Sequence, residues 1–261
     1  MNVNRIEDNI DADSVNPYVR PGEALSVRIR VARTDSQLKK AIKVRTDAFL
    51  RHLPEVVDSM CVVEDDDIHR GSLVLLCESK TTGEAIGTLR ICTNIDEPTY
   101  LERTLRLPEF MRGSGLAYVS RLAVINGRHG MFAKLALFKA LYRYCYATQI
   151  SWMLAVAREP VDREFVRLGF EDLLPDGERL WRPADFGHVF VRPLYFNVVE
   201  AEERWRRTAH PLYDFMIKKF HPDIEVFSSV SGSWAVPRRL RELATTGAIP
   251  PVGSIPQILS V

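Results

Sequence analysis

An arginine in the middle of a strand that otherwise reads as buried needs either a job or a partner. Residues 118–124 run Tyr-Val-Ser-Arg-Leu-Ala-Val. Successive side chains of a strand point to opposite faces, so Tyr118, Ser120 and Leu122 are expected on one face and Val119, Arg121 and Ala123 on the other. Neither face can send all its polar groups to water, and Arg121 is therefore expected to be buried or to line a cleft. Metal chemistry finds no support beside it. The four cysteines (Cys61, Cys77, Cys92 and Cys145) stand singly among apolar neighbours, and the six histidines show no H-E-x-x-H or comparable spacing.

The elements around that strand follow from periodicity and turn chemistry. Residues 1–24 are polar with Pro17 and Pro21 and read as a loose arm, after which residues 25–33 alternate as a first strand. Thr34 or Asp35 is placed to cap a helix whose stripe includes Leu38, Ala41, Ile42, Val44, Ala48 and Phe49. Residues 72–79 and 86–94 flank a turn containing Gly83 and read as a hairpin. A partly helical segment around residues 98–113 leads into the arginine-bearing strand. The turn Ile-Asn-Gly-Arg-His-Gly then opens a long helix rich in strong helix formers. A strand near 151–157, a helix ended by Gly169 and a strand near 188–196 complete one α/β domain over residues 25–197. Residues 198–261 form an extension, helical at first and interrupted near Pro211, then rich in Pro and Gly.

Composition bounds the function. The 261 residues are 46% hydrophobic with a net charge of +1, which suits one substantial core and argues against a general nucleic-acid binder. No run approaches the roughly 18 apolar residues of a membrane span, and the first 23 residues lack the apolar centre of a signal peptide. A cytoplasmic chain without stable membrane insertion is expected. Charge is nevertheless uneven, since residues 101–163 hold ten Lys or Arg against four Asp or Glu, an excess able to steer an acidic partner.

This order of elements resembles the GNAT acyltransferase fold, an α/β mixed sheet flanked by helices, in which an acyl thioester lies against a splayed fourth strand. Members of that fold hold the pyrophosphate of coenzyme A on a Q/R-x-x-G-x-G/A turn at a helix N-terminus. Here the register that uses Gly130 puts Gly127 at the Arg/Gln position and Phe132 at the small one. An acyl carrier protein brings the same 4′-phosphopantetheine arm without the nucleotide, so no bound cofactor is expected. Its acidic surface suits Arg128, His129, Lys134, Lys139 and Arg143.

Four further motifs resemble the acyl-homoserine-lactone synthases and their relatives, the FeeM-type N-acyl amino acid synthases. Arg45 and Phe49 match an R-x-x-x-F of the first helix, Glu64 and Asp67 an acidic pair, Arg90 a G-x-x-R-L hairpin arginine, and Arg121 the arginine of an E-x-S-R-F strand. The tryptophan that the lactone synthases carry after the first-helix phenylalanine is missing, and Tyr118 replaces their strand glutamate.

The resemblance implies transfer of a fatty acyl group from acyl carrier protein to the α-amine of an amino acid. Glu64 or Asp67 would take the ammonium proton, while Arg45, Arg90 or Arg121 would clamp the acceptor carboxylate. Backbone N–H groups from Ser120 to Leu122 would stabilise the oxyanion, and Tyr118 would donate a proton to the leaving thiolate or simply pack. The acyl chain is expected between the sheet and the aliphatic face of residues 131–141. Competing readings are a lactone synthase using S-adenosylmethionine, a coenzyme A dependent N-acetyltransferase and a non-catalytic partner-binding module.

Overall fold

The computed structural model describes residues 22–52, 61–182 and 189–227. The arm before residue 22 and the Pro- and Gly-rich tail after residue 227 lie outside the described residues. The chain order is β1 (Val27–Val31), α1 (Asp35–His52), α2 (Asp65–Ile68), β2 (Ser72–Ser79), β3 (Ala85–Thr93), α3 (Tyr100–Thr104), β4 (Leu116–Val124) and α4 (Arg128–Ala147), then β5 (Trp152–Arg158), α5 (Val161–Arg167), β6 (Glu171–Asp172), β7 (Leu180–Arg182), β8 (Val189–Asn197), α6 (Ala201–Arg207) and β9 (Ile224–Glu225).

These strands form one mixed sheet in the order β6-β8-β5-β4-β3-β2-β1-β9, with β7 also paired to β8. Every long element expected from periodicity is present. The additions are short: α2 inside the acidic run, the two-residue β6 and β9, and β7. The extension is thus not only helical, because β9 pairs in parallel with β1 at the sheet edge. Residues 22–24 are tied down as well, the Glu23 N–H donating to the Phe220 carbonyl at 2.9 Å.

Local chemistry fixes the two helices that flank the sheet. Thr34 Oγ1 accepts from the Gln37 N–H at 3.2 Å while Gln37 Oε1 accepts from the Thr34 N–H at 3.2 Å, a reciprocal cap at the start of α1. α1 lays Leu38, Ala41 and Ile42 on Val74 and Leu76, and Val44 and Ala48 on Ala123. On the opposite face, Ala133, Ala136, Leu137, Ala140 and Leu141 of α4 are fully buried against Leu75, Leu89 and Ile91. Each leucine or isoleucine among them contributes roughly 1.5–3 kcal/mol of burial. That packing fills the space between sheet and α4, so the acyl path expected there is occupied by the core itself.

Two departures from regular pairing shape the middle of the sheet. β4 pairs with β5 in parallel only from Leu116↔Trp152 to Val119↔Ala155; beyond Val119 the strands part. On its other edge β4 pairs with β3 through a shift between Thr88↔Ala123 and Arg90↔Ser120, a bulge at which Arg121 adopts φ 54°. The bulge breaks the expected alternation. Ser120 and Arg121 both face the α1 side, and Leu122 joins the core under α4.

The turn from β4 into α4 explains its two glycines. Gly127 precedes α4 at φ 85°, and a Cβ on Gly130 would sit 1.7 Å from the Ile125 carbonyl oxygen. Gly127→Ala meets open space and should cost about 1–3 kcal/mol for its backbone alone, since φ 85° with ψ −167° is a region kept almost wholly to glycine. Gly130→Ala must displace the turn, and chemical denaturation should show a loss of about 3 kcal/mol or more. Equal losses would contradict this account of the turn.

Candidate active site

Three arginines from three separate elements converge on the carboxylates of α2. Glu64, just before α2, is fixed by its neighbour's side chain, the Glu64 N–H donating to Asp67 Oδ2 at 3.0 Å. Arg45, on α1, donates to Asp67 through both terminal nitrogens at 3.0 and 2.9 Å, to Glu64 Oε2 at 3.2 Å and to the Val62 carbonyl at 3.1 Å. Arg90, on β3, donates to Glu64 Oε2 at 2.7 Å, Asp67 Oδ1 at 3.1 Å and Ser120 Oγ at 3.0 Å, and lies 3.2 Å from Asp66. Arg121 grips Glu64 with Nε at 2.8 Å from Oε2 and Nη2 at 2.6 Å from Oε1.

Burial grades this network from inside to outside. The side chains of Arg45 and Arg90 are 3% exposed and that of Asp67 is 0%, whereas Glu64 and Arg121 keep 17% and 19%. The Glu64–Arg121 pair is therefore the edge that a solute can reach. Burial alone would push the Glu64 carboxyl up, but the hydrogen bond and charge of Arg121, with the charges of Arg90 and Arg45, hold it below the ordinary range. Asp67 behaves alike, burial being outweighed by Arg45, Arg90 and the Glu64 N–H. A carboxylate held down in this way is a poor proton acceptor. This opposes the expected general-base role of Glu64 or Asp67, both of which hold guanidiniums.

The remaining expected residues divide between this face and elsewhere. Tyr118 faces the α1 side but is packed, 5% exposed and stacked on Tyr100 with centroids 5.7 Å apart. Burial pushes its phenol up, which disfavours proton donation to a thiolate. Phe49 packs beside Ala123 at the end of β4. Among the described residues the β5-facing edge of β4 has no strand partner from Ser120 onward. Leu122 lies on the other face. Sequence reasoning missed Asp66 as a partner of Arg90; it sits inside the acidic run, and only the bend into α2 distinguishes it.

The donor side needs more correction. Arg128 and His129 are exposed on the first turn of α4, and among the described residues no acceptor is found for the N–H groups of residues 128–130, as a helix N-terminus implies. Lys134 instead pairs with Glu164 across the α4–α5 gap. Lys139 is 1% exposed and donates to the Phe215 and Lys219 carbonyls, the latter at 2.6 Å, so it anchors the extension and presents nothing to a carrier. Arg143 lies over the Phe220 ring, 5.4 Å from its centroid. Phe132 packs edge-on to Phe215 and so belongs to the same seam. Among the described residues no group of three His, Cys, Asp or Glu side chains is placed to hold a metal, and no helix is long and apolar enough to cross a membrane.

Solved structures share this fold at low sequence identity. FeeM, an N-acyl amino acid synthase from uncultured soil microbes, superposes with a TM-score of 0.54 at 15% identity, covering 73% of this chain and 98% of its own. BjaI, a coenzyme A dependent acyl-homoserine lactone synthase solved with S-adenosylmethionine and isopentyl-CoA, gives 0.50 at 18% identity over 74% and 90% of the two chains. TofI, solved in a ternary complex with an inhibitor and MTA, gives 0.50 at 15% identity over 67% and 92%. The fold is that of the GNAT-like acyltransferases. No family model and no curated protein sequence matches the chain.

Within this GNAT-like frame the arginine–carboxylate network makes a stability prediction. Arg45→Met removes the two-nitrogen grip on buried Asp67, leaving it Arg90 and the Glu64 N–H, and should cost about 3 kcal/mol in denaturant unfolding. Arg121→Met removes a partner at the exposed edge and should cost about 1–2 kcal/mol. The reverse order would contradict the burial gradient.

Proposed function

We propose that this chain is an N-acyltransferase that moves a fatty acyl group from the 4′-phosphopantetheine arm of an acyl carrier protein to the α-amine of an amino acid. The observation that carries the reading is the Glu64–Arg121 pair beside the parted β4 edge. A free amino acid carries one carboxylate and one ammonium. Arg121 spends Nε and Nη2 on Glu64 but keeps its Nη1 side for the former, and Glu64 supplies a charge for the latter, both where the two side chains keep 19% and 17% exposure. Arg45 and Arg90 are already committed to Asp67 and Glu64 and serve as supports rather than clamps.

The reaction needs a neutral amine, since its lone pair forms the new C–N bond as the C–S bond breaks and sulfur leaves with the electron pair. The depressed Glu64 carboxylate orients the ammonium, whose first proton passes to water; a second leaves the nitrogen to water once the C–N bond has formed, and the thiolate recovers one proton from solvent. Backbone N–H groups of the unpaired β4 edge near Ser120–Leu122 face the developing oxyanion. The half-buried apolar surface around Leu105, Leu107 and Val156, beside Tyr118 and Leu154 on the same side of the sheet, suits the acyl chain in place of the filled α4 side.

Choice of donor and acceptor rests on what the chain lacks and keeps. The turn before α4 has Gly127 where coenzyme A binding turns carry Arg or Gln, while Arg128 and His129 remain exposed to an acidic carrier. The second reading is a lactone synthase, favoured by the superposition on BjaI and TofI and opposed by the missing tryptophan and strand glutamate.

The test supplies the purified protein with acylated carrier protein or acyl-CoA, mixed free amino acids and S-adenosylmethionine, with mass spectrometry of the products. N-acyl amino acids from the carrier, reduced at least 100-fold in Arg121→Ala, are expected. Acyl-homoserine lactones, or equal turnover of acyl-CoA, would overturn the acceptor or the donor assignment respectively.

A further inference from the structure

On the flank of α4 that meets the C-terminal extension there is a cleft of about 510 Å³, within the range of about 300–1,000 Å³ typical of small-molecule sites. It lies on the α4 side of the sheet, whereas Arg121 faces the α1 side. Lys139, Tyr142, Arg143 and Tyr146 form one stripe of α4 at helical spacing, and the facing wall is the segment that carries Met216, Ile217 and Phe220.

The charges in this cleft do not balance. Lys218 and Lys219 also line it, but each has a carboxylate, Asp214 and Glu23, at 2.8 Å. Lys139 spends its hydrogen bonds on two backbone carbonyls, which satisfy donors without cancelling charge. Arg143 has only the Phe220 ring beneath it, and among the described residues no carboxylate pairs with it. Burial, with the charge of Arg143 next, brings the Lys139 ammonium down to about 8, and burial lowers the Arg143 guanidinium too. Burial drives both shifts, and at Lys139 the opposing charge of Glu23 does not cancel it. Glu202 on the rim would repel a multiply charged head group.

We propose that this cleft is a second ligand site that takes a long-chain carboxylate, its head on Arg143 with the buried Lys139 charge behind it, and its chain along Tyr142, Tyr146, Met216, Ile217 and Phe220. A single negative charge answers the unpaired cations, a planar carboxylate matches the guanidinium fork, and the aliphatic body covers the apolar walls. The site is separate from the Arg121 edge, and the inference holds or fails independently of acyl transfer.

Calorimetric titration of the full-length protein with dodecanoate below its micellar concentration tests it. Binding should survive in Arg121→Ala, weaken about tenfold or more in Arg143→Ala and be absent for dodecyltrimethylammonium, which has the same chain and opposite charge. A photoreactive dodecanoate should label residues 139–146 and 216–220. No binding, binding unaffected by Arg143→Ala, equal binding of the cationic amphiphile, or labelling confined to the parted β4 and β5 strands would each overturn the proposal. Circular dichroism of Arg143→Ala separates a lost contact from a lost fold; if that variant unfolds, the labelling pattern on the wild-type chain decides.

Discussion

Glu64 is the point on which the centre of this molecule depends. Its carboxylate receives guanidinium groups from α1, β3 and β4 at once, so a single short acidic turn joins three elements distant in sequence. Burying so many charges is costly unless each is paired and hydrogen-bonded. Here Asp66, Asp67 and the Val62 carbonyl complete the partners of Arg45 and Arg90. The network is tight inside, around Arg45, Arg90 and Asp67, and reaches the surface where Arg121 meets Glu64 and at Asp66.

That edge coincides with the irregular part of the sheet. A non-glycine residue at φ 54° is strained by about 1–3 kcal/mol, and the two charge-assisted hydrogen bonds of Arg121 to Glu64 are of the size needed to offset it. The bulge turns Arg121 toward α1, while the loss of pairing to β5 beyond Val119 exposes strand backbone beside it. Strain, cation and open edge thus share one place.

Much of the scaffold was legible from residue pattern, and much of the site was not. The reciprocal Thr34–Gln37 cap, the apolar stripe of α1, the hairpin around Gly83 and the apolar α4 all announce themselves through local chemistry. Arg45, Glu64, Asp67, Arg90 and Arg121 were singled out and do meet. The bulge was invisible, because an arginine at positive φ leaves no mark in composition or spacing, and strict alternation put Arg121 on the wrong face. Lys139 looked like one more surface cation; its burial comes from the extension folding over α4, a contact between residues about eighty apart. Likewise two residues such as Ile224 and Glu225 become a strand only because β1 offers them an edge.

The central claim is that Glu64 and Arg121 act together on the amino acid acceptor. A double-mutant cycle of Glu64→Gln and Arg121→Gln, read as the KM for the acceptor at saturating acyl donor, measures this most directly. The account predicts that each change raises the acceptor KM about tenfold or more, that the pair is coupled by about 1 kcal/mol or more, and that the donor KM stays constant. Additive effects, or effects falling on the donor instead, would contradict it.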